Sequence, residues 1–65
     1  MENLHELADE IAAIEQRVSD AIVETLRDQL HGDVAARERD RQLSRVRRSL
    51  ARAESLLRAA DSDED

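Results

Sequence analysis

Leu30-His31-Gly32-Asp33 is the stretch that decides how this 65-residue chain folds. Gly32 is the only glycine and the chain has no proline, so the strongest helix breakers are absent everywhere else. Apolar positions mirror each other through this point, because residues whose numbers sum to 64 pair up, as Leu7 does with Leu57. The pattern predicts an all-α fold, an antiparallel two-helix hairpin, and disfavours one continuous helix in a parallel coiled coil.

The two helices are predicted near residues 3–31 and 34–60, with the turn at 32–33, and the acidic residues 61–65 are expected to form a disordered tail. Both helices carry apolar residues at the 3-4-3-4 spacing of a coiled coil. The seam of helix one comprises Leu4, Leu7, Ile11, Ile14, Val18, Ala21 and Thr25. The seam of helix two comprises Ala36, Arg39, Leu43, Val46, Leu50, Ala53, Leu57 and Ala60.

Capping residues stand at the ends that this scheme requires. Asn3 is a suitable N-cap, and Glu6 three residues later fits a capping box. His31 falls in the last turn of helix one, Gly32 at the C′ position and Asp33 at the N-cap of helix two. Capping and the helix dipole therefore account for His31 and Asp33 without a metal ion.

Polar residues near the seam predict contacts between the helices. Arg39 takes a seam position opposite Thr25 and one turn from Asp28, which predicts a polar layer that fixes the register. Glu15 lies toward the apolar side of helix one, and Arg47 is its expected ion-pair partner across the hairpin.

The composition favours a homodimer. A chain this short without cysteine or aromatic residues cannot be stabilised by disulfides, thiolate zinc sites or aromatic anchors, which leaves oligomerisation. Several apolar residues outside the strict seam would be exposed to water in a lone hairpin. We therefore expect a four-helix bundle in which the two hairpins contact each other toward the turn. The residues expected to bind the second copy or a partner are Ile22, Val23, Leu26, Leu30, Val34 and Leu56.

Charge is divided between the two arms. Residues 1–33 carry nine acids and two arginines, a net charge of −7, whereas residues 34–60 carry three acids and eight arginines, a net charge of +5. Five arginines recur at spacings of 4, 4, 3 and 4 along an outward strip of helix two. This arginine row comprises Arg37, Arg41, Arg45, Arg48 and Arg52. This row has three interpretations. Its side chains are solvated, or they pair with the acidic stripe of a sister chain or with an acidic protein, or they bind the phosphates of a nucleic acid.

The sequence offers few residues that could act in catalysis. His5 and His31 lie at opposite ends of one helix, about 40 Å apart, and a two-helix hairpin is expected to lack a ligand-sized concavity. We therefore predict no enzyme activity, no cofactor and no metal site. No apolar run approaches a membrane span and no signal peptide is recognisable, so the expected location is the cytoplasm.

The predicted architecture, a hairpin of this length with an acidic end, is similar to the plasmid-encoded RNA-binding Rop proteins, which dimerise into four-helix bundles. The resemblance is one of shape and length, with no residue pattern carried over. It implies RNA contacts through outward helix faces, where the arginine row lies. The sequence thus predicts a small non-enzymatic regulator or adaptor that acts through its helix faces. The alternatives are a Rop-like nucleic-acid regulator and a structural or assembly component.

Overall fold

The chain forms two long helices that pack against each other. The computed structural model describes residues 3–62, with α1 at Leu4–Leu30 and α2 at Ala36–Ser62. The helices contact each other in an antiparallel hairpin, a rod 52 Å long and 14 Å across. The predicted all-α hairpin is therefore confirmed.

Capping groups fix both ends of α1. At its start, Asn3 is extended and its side-chain oxygen accepts a hydrogen bond from the Glu6 N–H at 3.2 Å. At its end, the Asp33 N–H donates to the Asp28 carbonyl and the Gly32 N–H donates to the Gln29 carbonyl, both at 3.0 Å. These two bonds make a Schellman motif, which needs a left-handed residue at C′. Gly32 supplies it with a φ of +91°.

The turn is longer than the sequence suggests. Asp33 accepts a hydrogen bond from the Ala35 N–H at 3.0 Å, and this local turn delays the start of α2 to Ala36 instead of residue 34. At the other end, Asp61 and Ser62, which were expected in the acidic tail, belong to α2. Residues 63–65 of that tail lie outside the described part of the chain.

The contact between the helices is rotated relative to the predicted seam. On each helix, one predicted series is retained at the contact and the residues one position later than the other series join it. Of that other series, Leu7, Ala21 and Ala53 stay half-buried at the edge of the contact, whereas Ile14, Arg39, Val46 and Ala60 are exposed. The retained series are Leu4, Ile11, Val18 and Thr25 on α1, and Ala36, Leu43, Leu50 and Leu57 on α2. The joining series are Ala8, Glu15, Ile22 and Gln29 on α1, and Asp40, Arg47, Glu54 and Asp61 on α2, all at least half-buried except Arg47.

This rotation leaves the hairpin with a thin core. Within residues 3–62, Ala8 and Ala36 are the only fully buried hydrophobic residues, whereas Ile14 and Val46 of the predicted seam remain 43% and 45% exposed. The cause is geometric, because one partner helix covers a stripe of about two positions per heptad, and on α2 the covered stripe takes in charged residues in place of Val46. One apolar series of each helix is therefore left on the side of the hairpin.

Gly32→Ala is expected to destabilise the hairpin by about 1 kcal/mol. An added Cβ would meet no atom within 4 Å, so the cost comes from the positive φ alone. Gly32→Asn is the matched control, since asparagine tolerates the left-handed region better than alanine. Urea unfolding followed by circular dichroism measures both, and a Gly32→Ala variant more stable than wild type would contradict the turn.

Candidate interaction surfaces

Ion pairs between the helices define their register. Arg39 lies 3.7 Å from Asp28 near the turn, and Arg58 lies 3.2 Å from Asp9 toward the open end. Both pairs join residues whose numbers sum to 67, so the helices are offset by three from the predicted pairing. The longer turn explains this offset.

The register arranges the displaced apolar series in pairs that we call rungs. From the turn toward the open end, the displaced residues of α1 decrease in number by seven and those of α2 increase by seven. Residues that face each other therefore keep the sum of 67 that Asp28 and Arg39 have, which gives three more pairs. These are Ala21/Val46, Ile14/Ala53 and Leu7/Ala60. Each apolar rung joins one larger residue to an alanine. We call the side of the hairpin formed by these three rungs the apolar face.

A second apolar surface lies beside the turn. Val23, Leu26 and Leu30 follow one another at helical spacing on the last turns of α1, and Val34 projects from the turn itself. All four are exposed, Leu30 by 85% and Val34 by 90%. We call these four residues the turn-end patch.

The structure separates the other two residues of the predicted turn-end contact from this patch. Ile22 is half-buried between the helices, where it helps to hold α1 against α2. Leu56 is exposed, but it lies twenty residues into α2, about 30 Å from the turn. Leu56 therefore cannot share a contact with the turn-end patch of its own chain.

The arginine row is exposed along its whole length. Arg41 lies 3.9 Å from Glu38 on its own helix, a contact that solvent screens. Within residues 3–62, the other four members form no salt bridge. The structure thus brings the five side chains to one helix and leaves most of their charge unpaired.

A carboxyl pair lies between the helices on the side away from the apolar face. Hydrogen bonding to Glu54, then burial, then repulsion by the Glu54 charge raise the pKa of Glu15 above its ordinary 4.5. One oxygen of Glu15, Oε1, is buried without a donor among the described residues. Arg58 bonds Glu54 at 2.7 Å, which is the main reason that the pKa of Glu54 is lowered. The predicted Glu15–Arg47 ion pair is therefore wrong, since Arg47 acts on Glu15 only at longer range.

Sequence reasoning missed both this carboxyl pair and the contact of Arg58 with Asp9. The spacing of Glu54 and Arg58, four residues apart on a helix, was an available signal for their bond. Their position between the helices depended on the rotation of the seam. Sequence periodicity alone did not reveal that rotation.

The polar layer predicted around Arg39 is present. The Arg39 guanidinium bonds Asp33 at 2.8 Å and lowers the pKa of that carboxyl, while Asp28 lies at 3.7 Å. Thr25 is buried at this level and its hydroxyl donates to the Ala21 carbonyl at 2.9 Å. The layer joins the two helices to the turn.

The hairpin was expected to lack a ligand-sized concavity, but the structure has one beside the turn. A shallow, open depression of about 470 Å³ lies beside the turn, lined by Gln29, Gly32, Asp33, Val34 and Arg37. Its single carboxylate, Asp33, already bonds Arg39 and the Ala35 N–H.

The two histidines have separate local partners. His31 Nδ1 lies 2.8 Å from the Arg27 carbonyl at the end of α1, a bond it makes as a donor when Nδ1 carries the proton. His5 lies 3.5 Å from Asp9 at the other end of the same helix. Among residues 3–62 there is no cluster of three or more ligating side chains that could hold a metal ion.

Glu15→Gln is expected to raise stability at pH 7 and to change it much less at pH 4. A raised pKa means that the fold favours neutral Glu15, so loss of its proton as pH rises above about 4.5 lowers wild-type stability. Glutamine stays neutral, and its amide can donate to Glu54. Urea midpoints at the two pH values measure the effect.

Glu24→Gln on the exposed side of α1 is the matched control, because it removes the same charge away from the carboxyl pair. If Glu24→Gln raised the stability by the same amount, the effect of Glu15→Gln would come from the lower net negative charge and not from the carboxyl pair. A less stable Glu15→Gln protein at pH 7 would contradict the assignment.

Neither helix within residues 3–62 has an apolar stretch long enough to cross a membrane. No family model, curated protein or solved structure matches this chain.

Proposed function

We propose that this chain is a small non-enzymatic interaction protein of the cytoplasm that acts as a homodimer, two hairpins forming a four-helix bundle. The observation that carries the proposal is the apolar face. Ile14 and Val46 are 43% and 45% exposed there, whereas the fully buried hydrophobic residues are alanines. The larger side chains are thus available to a second copy.

The pattern of the apolar face supports a bundle. Apolar seam residues that lie outside the contact of a two-helix hairpin, as Ile14 and Val46 do, are typical of helices that contact a second neighbour in a bundle. The alternation of a larger residue with alanine in each rung allows a second hairpin to approach closely. A second copy on this face would turn the predicted seam into the core of the bundle.

The size of the hairpin side that carries the apolar face is also appropriate. Each helix has 27 residues, so the whole side of two adjacent helices is about 40 Å long and 20 Å wide, roughly 800 Å², and the three apolar rungs occupy about half of its length. Each partner buries about this area in an interface of standard size. The turn-end patch lies beside the turn, away from the three rungs, and we propose that it serves a further protein partner.

Ile14→Glu is expected to weaken the dimer by roughly two to four orders of magnitude in Kd. Each copy would lose the burial of the exposed 43% of an isoleucine, about 1 kcal/mol, and would place a carboxylate against apolar residues, and two copies contribute to one dimer. Sedimentation equilibrium measures the association, and circular dichroism reports whether the helices persist.

Two variants serve as comparisons for Ile14→Glu. Ala13→Glu adds the same charge one position away on the exposed side of α1 and is expected to leave the dimer intact. Leu26→Glu tests the turn-end patch as the dimer contact instead. A wild-type protein that sediments as a folded monomer at micromolar concentration would overturn the proposal.

Nucleic-acid binding through the arginine row is a second candidate function. The observation that favours it is the exposure of the row, four of whose members form no salt bridge within residues 3–62. Arginine bonds phosphate through two parallel N–H groups, and a helix-long row matches a phosphate backbone better than one isolated charge does.

The second candidate predicts that RNA or duplex DNA is retarded in a gel at low salt. Arg48→Ala should then weaken binding to all sequences alike and lower the slope against salt by about 0.7–0.9. Arg27→Ala, an exposed arginine on α1, is the matched control. Absence of retardation at low salt would remove this candidate. A dimer loosened by Arg48→Ala would assign the row to the sister chain.

A further inference from the structure

We propose that the two hairpins of the dimer lie side by side with both turns at the same end of the bundle. This inference rests on the proposed homodimer and concerns the direction of the second copy. A two-fold symmetric pair that meets through the apolar face has two arrangements. An axis along the helices gives parallel hairpins, whereas an axis across them gives opposed hairpins.

The two arrangements bring different helices together. With the axis along the helices, α1 of one copy lies over α2 of the other. With the axis across the helices, α1 lies over α1 and α2 lies over α2. Charge therefore distinguishes them, because like-charged helices meet in one arrangement and oppositely charged helices in the other.

The helices of this chain are strongly and oppositely charged. α1 carries seven carboxylates and two arginines, a net charge of −5, and α2 carries four carboxylates and eight arginines, a net charge of +4. Same-direction packing surrounds each α1 with two copies of α2, which also run antiparallel to it. Opposed packing would set two acidic helices against each other and two basic helices against each other.

The order of the rungs favours the same arrangement independently. Three rungs are apolar, while the rung next to the turn is the Asp28–Arg39 ion pair. Opposed hairpins would cover this ion pair with Leu7 and Ala60 of the other copy, removing water from two charges without a new partner. Same-direction hairpins put apolar rungs against apolar rungs, and each Arg39 near the Asp28 of the other copy.

The arrangement has a consequence for partner binding. Both turn-end patches lie at one end of the bundle, and both open ends of the hairpins lie at the other. A protein partner that contacts the turn-end patch would therefore meet two copies of it at one end of the dimer, which adds avidity.

Spin labels at two single-cysteine sites test the direction, since the chain has no cysteine of its own. Val34→Cys marks the turn and Ala59→Cys marks the exposed side of α2 toward the open end. Same-direction hairpins predict label separations near two helix diameters, about 20–25 Å, at both sites. Opposed hairpins predict an offset along the rod of about 45 Å for Val34→Cys and about 30 Å for Ala59→Cys.

The label separations test the direction of the second copy, whereas sedimentation tests the homodimer itself. Each labelled protein is first shown by sedimentation to keep the oligomeric state of wild type. A dimer with long separations at both sites would overturn the shared direction and keep the homodimer. A dimer with a short separation at the turn and a very long one at the other site would indicate end-to-end contact through the turns. A monomeric wild type would overturn both.

Discussion

Two packed helices cover only a narrow stripe of each other, and this limit determines the rest of the structure. One partner helix covers about two positions per heptad, and the covered stripe on α2 includes the charged residues Asp40, Glu54 and Asp61, so apolar residues are left over. The hairpin buries Ile11 and Leu50 partly between its helices and leaves Ile14 and Val46 on its side. The apolar face and its proposed second copy both follow from this surplus.

Polar contacts decide which two positions the hairpin covers. Arg58 bridges Glu54 and Asp9, and Arg39 bridges Asp33 and Asp28, so each end of the rod has an arginine that ties the helices together. Each such exposed contact contributes little stability, yet together they specify one register. That register is unfavourable for the carboxyl of Glu15, because it lies against Glu54 and one of its oxygens has no donor within residues 3–62.

The surface charges and the apolar residues have different roles in the proposed dimer. Burial on the apolar face would supply the free energy of association, whereas the opposite charges of α1 and α2 would select the direction of the second copy. The arginine row lies on an exposed strip of α2, so a dimer through the apolar face leaves its arginines accessible to phosphates or to an acidic protein.

The sequence by itself determined the hairpin, the caps of α1 and the polar layer at Arg39. These depend on local chemistry, since Gly32 alone could adopt the positive φ of a Schellman motif and Asn3 alone could cap the first turn. Asp33, the predicted N-cap of the second helix, instead lies in the turn three residues before α2 begins. Of the candidate interaction surfaces, the sequence predicted the arginine row and all four residues of the turn-end patch, together with Ile22 and Leu56, which the structure places elsewhere.

Only the tertiary structure decided the rotation of the seam, the offset of the register and the pairing of Glu15 with Glu54. A heptad seam is compatible with more than one contact stripe, because the residues one position later can replace half of it. The choice among them depends on how the five-residue turn and the interhelical ion pairs fit together in space.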